Sequence, residues 1–148
     1  MTAADIRVPA SAGWLGALGA VPFIGLAGAM PFLAGAPRMV ATHALLAYGA
    51  TILSFLGGVH WGLATGSQND RGELASRLIL SVIPSLIGWA ALLVPETIGL
   101  LVLAAAIAIM LWVDLRATRL GHAPPWYPKL RIPLTCVVVA ALLFGALA

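Results

Sequence analysis

The sequence predicts an all-α fold, a single domain over 1–148 folded as a bundle of five transmembrane helices. Composition is the first reason. Charged residues make up 9% and hydrophobic residues 61% of the 148 positions, with mean hydropathy +1.03. A soluble domain carries about 25% charged residues because its surface must face water. So few charges cannot cover a water-exposed surface, and the solvent is mostly lipid. The second reason is length. The apolar residues fall into five runs, each near the ~20 residues that a helix needs to cross the hydrocarbon core.

The first run is read at 14–33, the second at 42–65, the third at 74–94, the fourth at 97–115 and the fifth at 131–147. Arg7, the apolar stretch after it and Ala34-Gly35-Ala36 loosely fit a secretory signal. Asp5, Pro22, Pro31 and Pro37 argue instead for a retained helix. Gly35-Ala36-Pro37-Arg38 is a turn signal that ends the first run. Gly66-Ser67-Gln68-Asn69-Asp70 ends the second, and Asp70 with Glu73 resembles a capping box opening the third. Pro95-Glu96 separates the third and fourth runs and puts Glu96 at a helix N-terminus, where the dipole favours an anion. In the last loop Gly121 is a candidate helix C-cap, and 124–128 reads as a stiff, extended, proline-rich stretch.

With five spans, Arg7, Arg71, Arg77, Arg116, Arg119, Lys129 and Arg131 share one side, and Arg38 alone lies on the other. Basic residues concentrate on the cytoplasmic side, which predicts a cytoplasmic N-terminus and a C-terminus across the membrane. Trp14, Trp61, Trp112 and Trp126 fall near the same boundary, where amphipathic rings settle. The net charge of +3 therefore reads as a topology and lipid-headgroup signal, not as a nucleic-acid surface.

Helices in lipid gain little from burying apolar surface against one another, so close contact depends on small residues. Gly16 in the first span and Ala50, Ser54, Gly58 and Gly62 in the second, the latter four residues apart, are the expected packing positions. They suit packing within the bundle or docking against a partner helix. Pro84 removes a backbone hydrogen bond from the third span, and Ser81 and Ser85 are placed to repair the local backbone.

Ionisable groups inside a membrane are functional candidates by default. The mid-depth of the spans lacks them, and they gather toward the basic side. Asp114 lies near a helix C-terminus, where the dipole disfavours an anion, and neither Arg116 nor Arg119 has the spacing to pair with it. A cation from another element is expected, and His60, Arg77 and Arg131 stand at compatible depth. A polar or ligand site of His60, Trp61, Asp114, Trp126, Tyr127 and Arg131 follows as a candidate, beside the plainer reading of a structural ion pair. Cys136 is the lone cysteine, and one intramembrane histidine at this depth falls short of a bis-histidine haem. No metal site, phosphate loop, nucleophile elbow or other catalytic motif is present, so nothing positive supports an enzyme.

Tyr48-Gly49-Ala50, Ser54-Phe55-Leu56-Gly57-Gly58-Val59-His60-Trp61-Gly62, Pro84-Ser85-Leu86, Asp114-Leu115 and Pro124-Pro125-Trp126-Tyr127 with Leu130-Arg131 together resemble the transmembrane protein 69-like family. This is a group of small bacterial and mitochondrial membrane proteins. The resemblance covers nearly all the chain after Trp14. It implies a polytopic membrane protein and supplies no catalytic residues. The lack of a long Arg- and Ser-rich stretch before the first span favours a bacterial inner membrane. Two functions are expected from different classes. One is a non-enzymatic accessory or assembly subunit of a larger membrane complex. The other is a binder of an amphipathic ligand, a lipid or a quinone, in a cytoplasmic-leaflet pocket. A transporter ranks below both, because the midplane is uncharged and no inverted repeat is evident.

Overall fold

The computed structural model describes residues 7–66 and 71–148, and every regular element within them is helical. Helix α1 spans Ala10–Ala29 and continues into a 3-10 turn, Met30–Phe32; α2 spans Ala36–Thr65, α3 Arg71–Ala91, α4 Glu96–Arg119 and α5 Tyr127–Leu147. All five are long and apolar enough to cross a membrane. Asp70, and with it the expected capping box, lies outside the described residues.

Several helix ends reach beyond the bounds the hydropathy suggests, among them the starts of α1 at Ala10 and α3 at Arg71, and three have a clear local cause. α2 starts at Ala36 rather than Thr42 because Pro37 sits in its first turn, where a missing N–H goes unnoticed. Gly35 enters that turn at φ 60°, a conformation that favours glycine. α5 starts at Tyr127 rather than Arg131 for the same reason, with Pro128 in its first turn, so the stretch expected to be extended is partly helix. α4 runs past Leu115 to Arg119, and Arg116 and Arg119 offset the negative end of its dipole. Gly121 then ends it as expected. At φ 76° it lets the His122 N–H reach the Ala117 carbonyl at 2.8 Å and its own N–H reach that of Thr118 at 3.1 Å, a Schellman closure.

The helices close into a ring in chain order, with α1 against α5, and α2 and α4 also meet across it. Phe23, Leu45, Leu46, Leu53, Leu100, Leu103, Ile107 and Leu142 fill the centre. Pro22 has no N–H for the turn before it, which loosens the hydrogen bonding of α1 there. The Tyr48 hydroxyl donates to the Gly19 carbonyl in that turn at 3.0 Å, and the Tyr48 ring packs on Phe23 with centroids 4.9 Å apart.

Small residues mediate the close contacts, though not along the whole stripe expected. A Cβ on Gly16 would come within 2.7 Å of Leu134, so that glycine does seat α1 on α5. Ala50 is buried under Gly88 of α3. Ser54 is half-buried and its hydroxyl bonds back to the Ala50 carbonyl. Gly58 and Gly62 face open space within the chain, so they do not pack in the bundle. The reason is geometric. Steps of four residues advance about 40° beyond a full turn, so a stripe beginning in the core at Ala50 rotates out of it by Gly62. Gly57 takes over instead, and an added Cβ there would press into the Ser81 carbonyl and lie 3.3 Å from Pro84. Ser81 donates to the Leu78 carbonyl at 2.7 Å, not to that of Leu80, the partner Pro84 gives up.

Candidate functional site

Three charged or titratable side chains from three helices meet near the basic end of the ring. Asp114 of α4, 1% exposed, accepts from Arg131 Nε of α5 at 2.5 Å through Oδ2 and pairs with His60 Nε2 of α2 at 2.7 Å through Oδ1. The sequence expectation that Asp114 finds a cation on another element therefore describes the structure, with two of the three named candidates in contact. A carboxylate offers only acceptors, so His60 donates through Nε2. Asp114 also stands further from the helix end than expected, because α4 continues to Arg119, and the dipole opposes it correspondingly less.

A lid one turn nearer the surface keeps the cluster dry. Ala117 follows Asp114 by three residues, Leu63 follows His60 by three, and Tyr127 precedes Arg131 by four. Ala117, Ala123 and Tyr127 are buried together, with Val59, Leu63 and Trp126 packed on them. Trp126 meets Tyr127 edge-on at 5.9 Å. Below the lid, Arg131 Nη2 and the hydroxyl of Thr135, one turn further along α5, are buried without a hydrogen-bond partner among the described residues. Tyr127 is buried over the cluster, and Trp126 packs half-buried beside it. Trp61 is exposed on the outside of α2 and does not join it.

The open space lies elsewhere, between α3 and α4. A cavity of about 880 Å³ is walled by Leu80, Ile83, Pro84 and Ile87 of α3, by Val102, Ala105, Ala106, Ile109 and Val113 of α4, and by Leu53 and His60 of α2. Its volume falls within the ~300–1,000 Å³ range of small-molecule sites. Polar lining residues gather at the basic end: Glu73, Arg77, Arg116 and His122, with Ser81 a turn deeper than Arg77. Arg116 is held over the Trp112 ring at 5.6 Å. From Arg116 to Val102 the groove follows α4 for about 21 Å, some two-thirds of the hydrocarbon thickness. Leu80 and Ile109 line it while remaining largely exposed, so it opens sideways between the helices.

His60 joins the two features, bonded to Asp114 on one side and lining the groove on the other. Of the six expected site residues it alone lines that space. Sequence reasoning missed the α3 wall and the Arg77–Arg116 mouth. One signal was available: α3 is the most one-sided of the five helices, with Arg77, Ser81 and Pro84 at i, i+4 and i+7 along one strip. At the opposite end His43 and Glu96 approach to 3.6 Å, both largely in the open, where such pairs contribute little.

A family model described as a protein of unknown function, DUF3429, matches residues 8–147. The chain belongs to that family. It is 35% identical to transmembrane protein 69 of Xenopus tropicalis over 136 residues, which is 90% of this chain and 53% of that protein. It is 33% identical to transmembrane protein 69 of Mus musculus over 92 residues, 62% of this chain and 38% of that protein. The chain thus spans about half or less of the length of the relatives it matches. No solved structure matches it. Five membrane-length apolar helices and relatives named as transmembrane proteins make this family member a multi-pass integral membrane protein.

Proposed function

We propose that this protein binds an amphipathic, lipid-like molecule in the groove between α3 and α4, its polar head at the basic end and its chain along α4. The amphipathic lining of that groove carries the reading: an apolar trough about 21 Å long, polar at one end alone and open to the surrounding lipid. A lipid or an isoprenoid quinone has this shape. The seven-to-one bias of Lys and Arg supports a cytoplasmic groove mouth, an N-in and C-out topology, and residence in a bacterial inner membrane. Extraction in polymer-bounded nanodiscs followed by lipid mass spectrometry tests the binding. Ala105→Phe, which fills the groove, is expected to deplete one lipid class relative to wild type. Identical lipid profiles would overturn the reading. Labelling of single cysteines placed at Thr97 and Lys129, in a Cys136→Ser background, tests the topology; Lys129 is expected to react only from the cytoplasmic side.

A second reading, an accessory or assembly subunit of a larger membrane complex, is favoured by one observation. Thr51, Phe55, Gly58, Gly62 and Thr65 form an exposed, mostly small-residue stripe on α2, and a Cβ added at Gly58 or Gly62 would meet nothing within 4 Å among the described residues. Gly62→Leu is expected to release a co-purifying partner while leaving the lipid profile intact. Unchanged co-purification would count against the subunit role.

A further inference from the structure

We infer that the head of the bound amphiphile is an anionic phosphodiester bearing a hydroxyl, and that the hydroxyl donates to Nδ1 of His60. The inference rests on the groove being a lipid site and asks which head it selects. A neutral imidazole carries one N–H and one bare nitrogen. Asp114, one-hundredth exposed, takes the Nε2 side of His60 at 2.7 Å, and Arg131 fixes the other carboxylate oxygen at 2.5 Å. Arg131 offsets the charge of Asp114 within the cluster. His60 also lines the groove, and its Nδ1, without a hydrogen-bond partner among the described residues, is on a neutral ring a bare acceptor for that hydroxyl.

An acceptor at the edge of an apolar trough rewards a donor. Quinone carbonyls and a phosphocholine head have none to give, whereas a glycerol or similar polyol head does. The mouth adds the charge requirement. Arg116 is steadied over Trp112, and Arg77 and His122 line the same end with Glu73 as the one acid among the described residues that line it. A phosphodiester next to its own hydroxyl answers both requirements, placing the anion toward the arginines and the hydroxyl toward His60. Arg131 acts here as a positioning residue, holding the carboxylate that holds the ring.

Native mass spectrometry of the full chain in micelles, titrated with phosphatidylglycerol, phosphatidylmethanol and phosphatidylcholine, tests this. Phosphatidylmethanol keeps the charge and lacks the hydroxyl. Phosphatidylglycerol is expected to bind about tenfold more tightly than phosphatidylmethanol, the worth of about one hydrogen bond out of water. His60→Phe is expected to erase that ratio while both anionic lipids still outcompete phosphatidylcholine, which also shows the variant to be folded. Equal binding of the two anionic lipids to wild type would overturn the hydroxyl assignment and leave the groove intact. So would displacement of all three lipids by a short-chain hydroquinone with no preference among them. Binding of every lipid unaffected by Ala105→Phe would instead overturn the groove reading itself.

Discussion

Removing the Asp114 carboxylate is the most informative perturbation of the fold. In Asp114→Ala, Arg131 keeps its buried position and loses its counter-charge, and His60 loses its acceptor. Breaking a buried pair from one side costs about 3–5 kcal/mol in soluble proteins, because an uncompensated charge stays behind. Polar contacts between membrane helices average only about 0.6 kcal/mol, with a maximum near 1.7, because the unfolded chain also finds partners. The structure decides between these scales. Arg131 lies one turn, about 6 Å, inside the end of α5, within snorkelling range of headgroups. Yet Tyr127, Ala117 and Ala123 close that route, so the guanidinium cannot rise without opening the lid. A loss of about 3 kcal/mol is therefore expected, nearer the soluble scale.

A double-mutant cycle gives the test. Unfolding by SDS from mixed micelles, followed by tryptophan fluorescence, would be compared for wild type, Asp114→Ala, Arg131→Met and the double variant. Each single change is expected to destabilise by about 3 kcal/mol. The double variant, in which no charge is stranded, is expected to recover about 2 kcal/mol of the summed loss as coupling. Additive effects, or an Asp114→Ala variant within about 0.5 kcal/mol of wild type, would refute the account of a sealed pair.

The packing and the groove give further expectations. Gly57→Ala sets a methyl against the Ser81 carbonyl and Pro84 and is expected to cost about 1–3 kcal/mol in the same unfolding assay. Gly62→Ala, facing open space, is expected to stay within about 0.5 kcal/mol of wild type or to stabilise slightly through helix propensity. Tyr48→Phe loses the bond to the Gly19 carbonyl and is expected to cost about 1 kcal/mol, with faster hydrogen exchange in α1 around Pro22. Ala105→Phe is expected to leave stability nearly unchanged, since Ala105 lines the groove and lies outside the core, while lowering lipid retention.

The sequence made some of this legible and hid the rest for identifiable reasons. Five spans could be read because hydrophobicity in lipid is a strong, one-dimensional signal. Asp114 could be matched to partners because an anion at a helix end with no local cation must find one elsewhere. Its depth limited the choice to three residues, and the structure uses His60 and Arg131. The helix ends at Ala36 and Tyr127 were hidden by Pro37 and Pro128, which look like breakers and serve as first-turn residues. The role of Tyr127 depends on its lying one turn above Arg131 and opposite Ala117, a relation between helices that spacing along one chain cannot supply. The groove was hidden most completely. It is made by what is small or displaced, Ala105 and Ala106 on α4 and the wall around Pro84, and emptiness leaves no residue type to search for.

The depth of the buried cluster ties the fold to the groove. At the bilayer midplane, a carboxylate and a guanidinium would need lipid-exposed helices to surround them completely. At the headgroups, water would compete for both and leave His60 free to turn. One turn beneath an apolar lid, the Asp114–Arg131 pair is buried and holds the His60 ring, and on the proposed reading that ring stays within reach of a lipid head in the groove. The same placement explains why no intramembrane charge appears deeper in the groove: its lower two-thirds need only accommodate chain. On the proposed reading, selectivity rests on His60 of α2 together with the arginines of α3 and α4 at one end of the groove, and no polar pathway across the membrane is needed to exercise it.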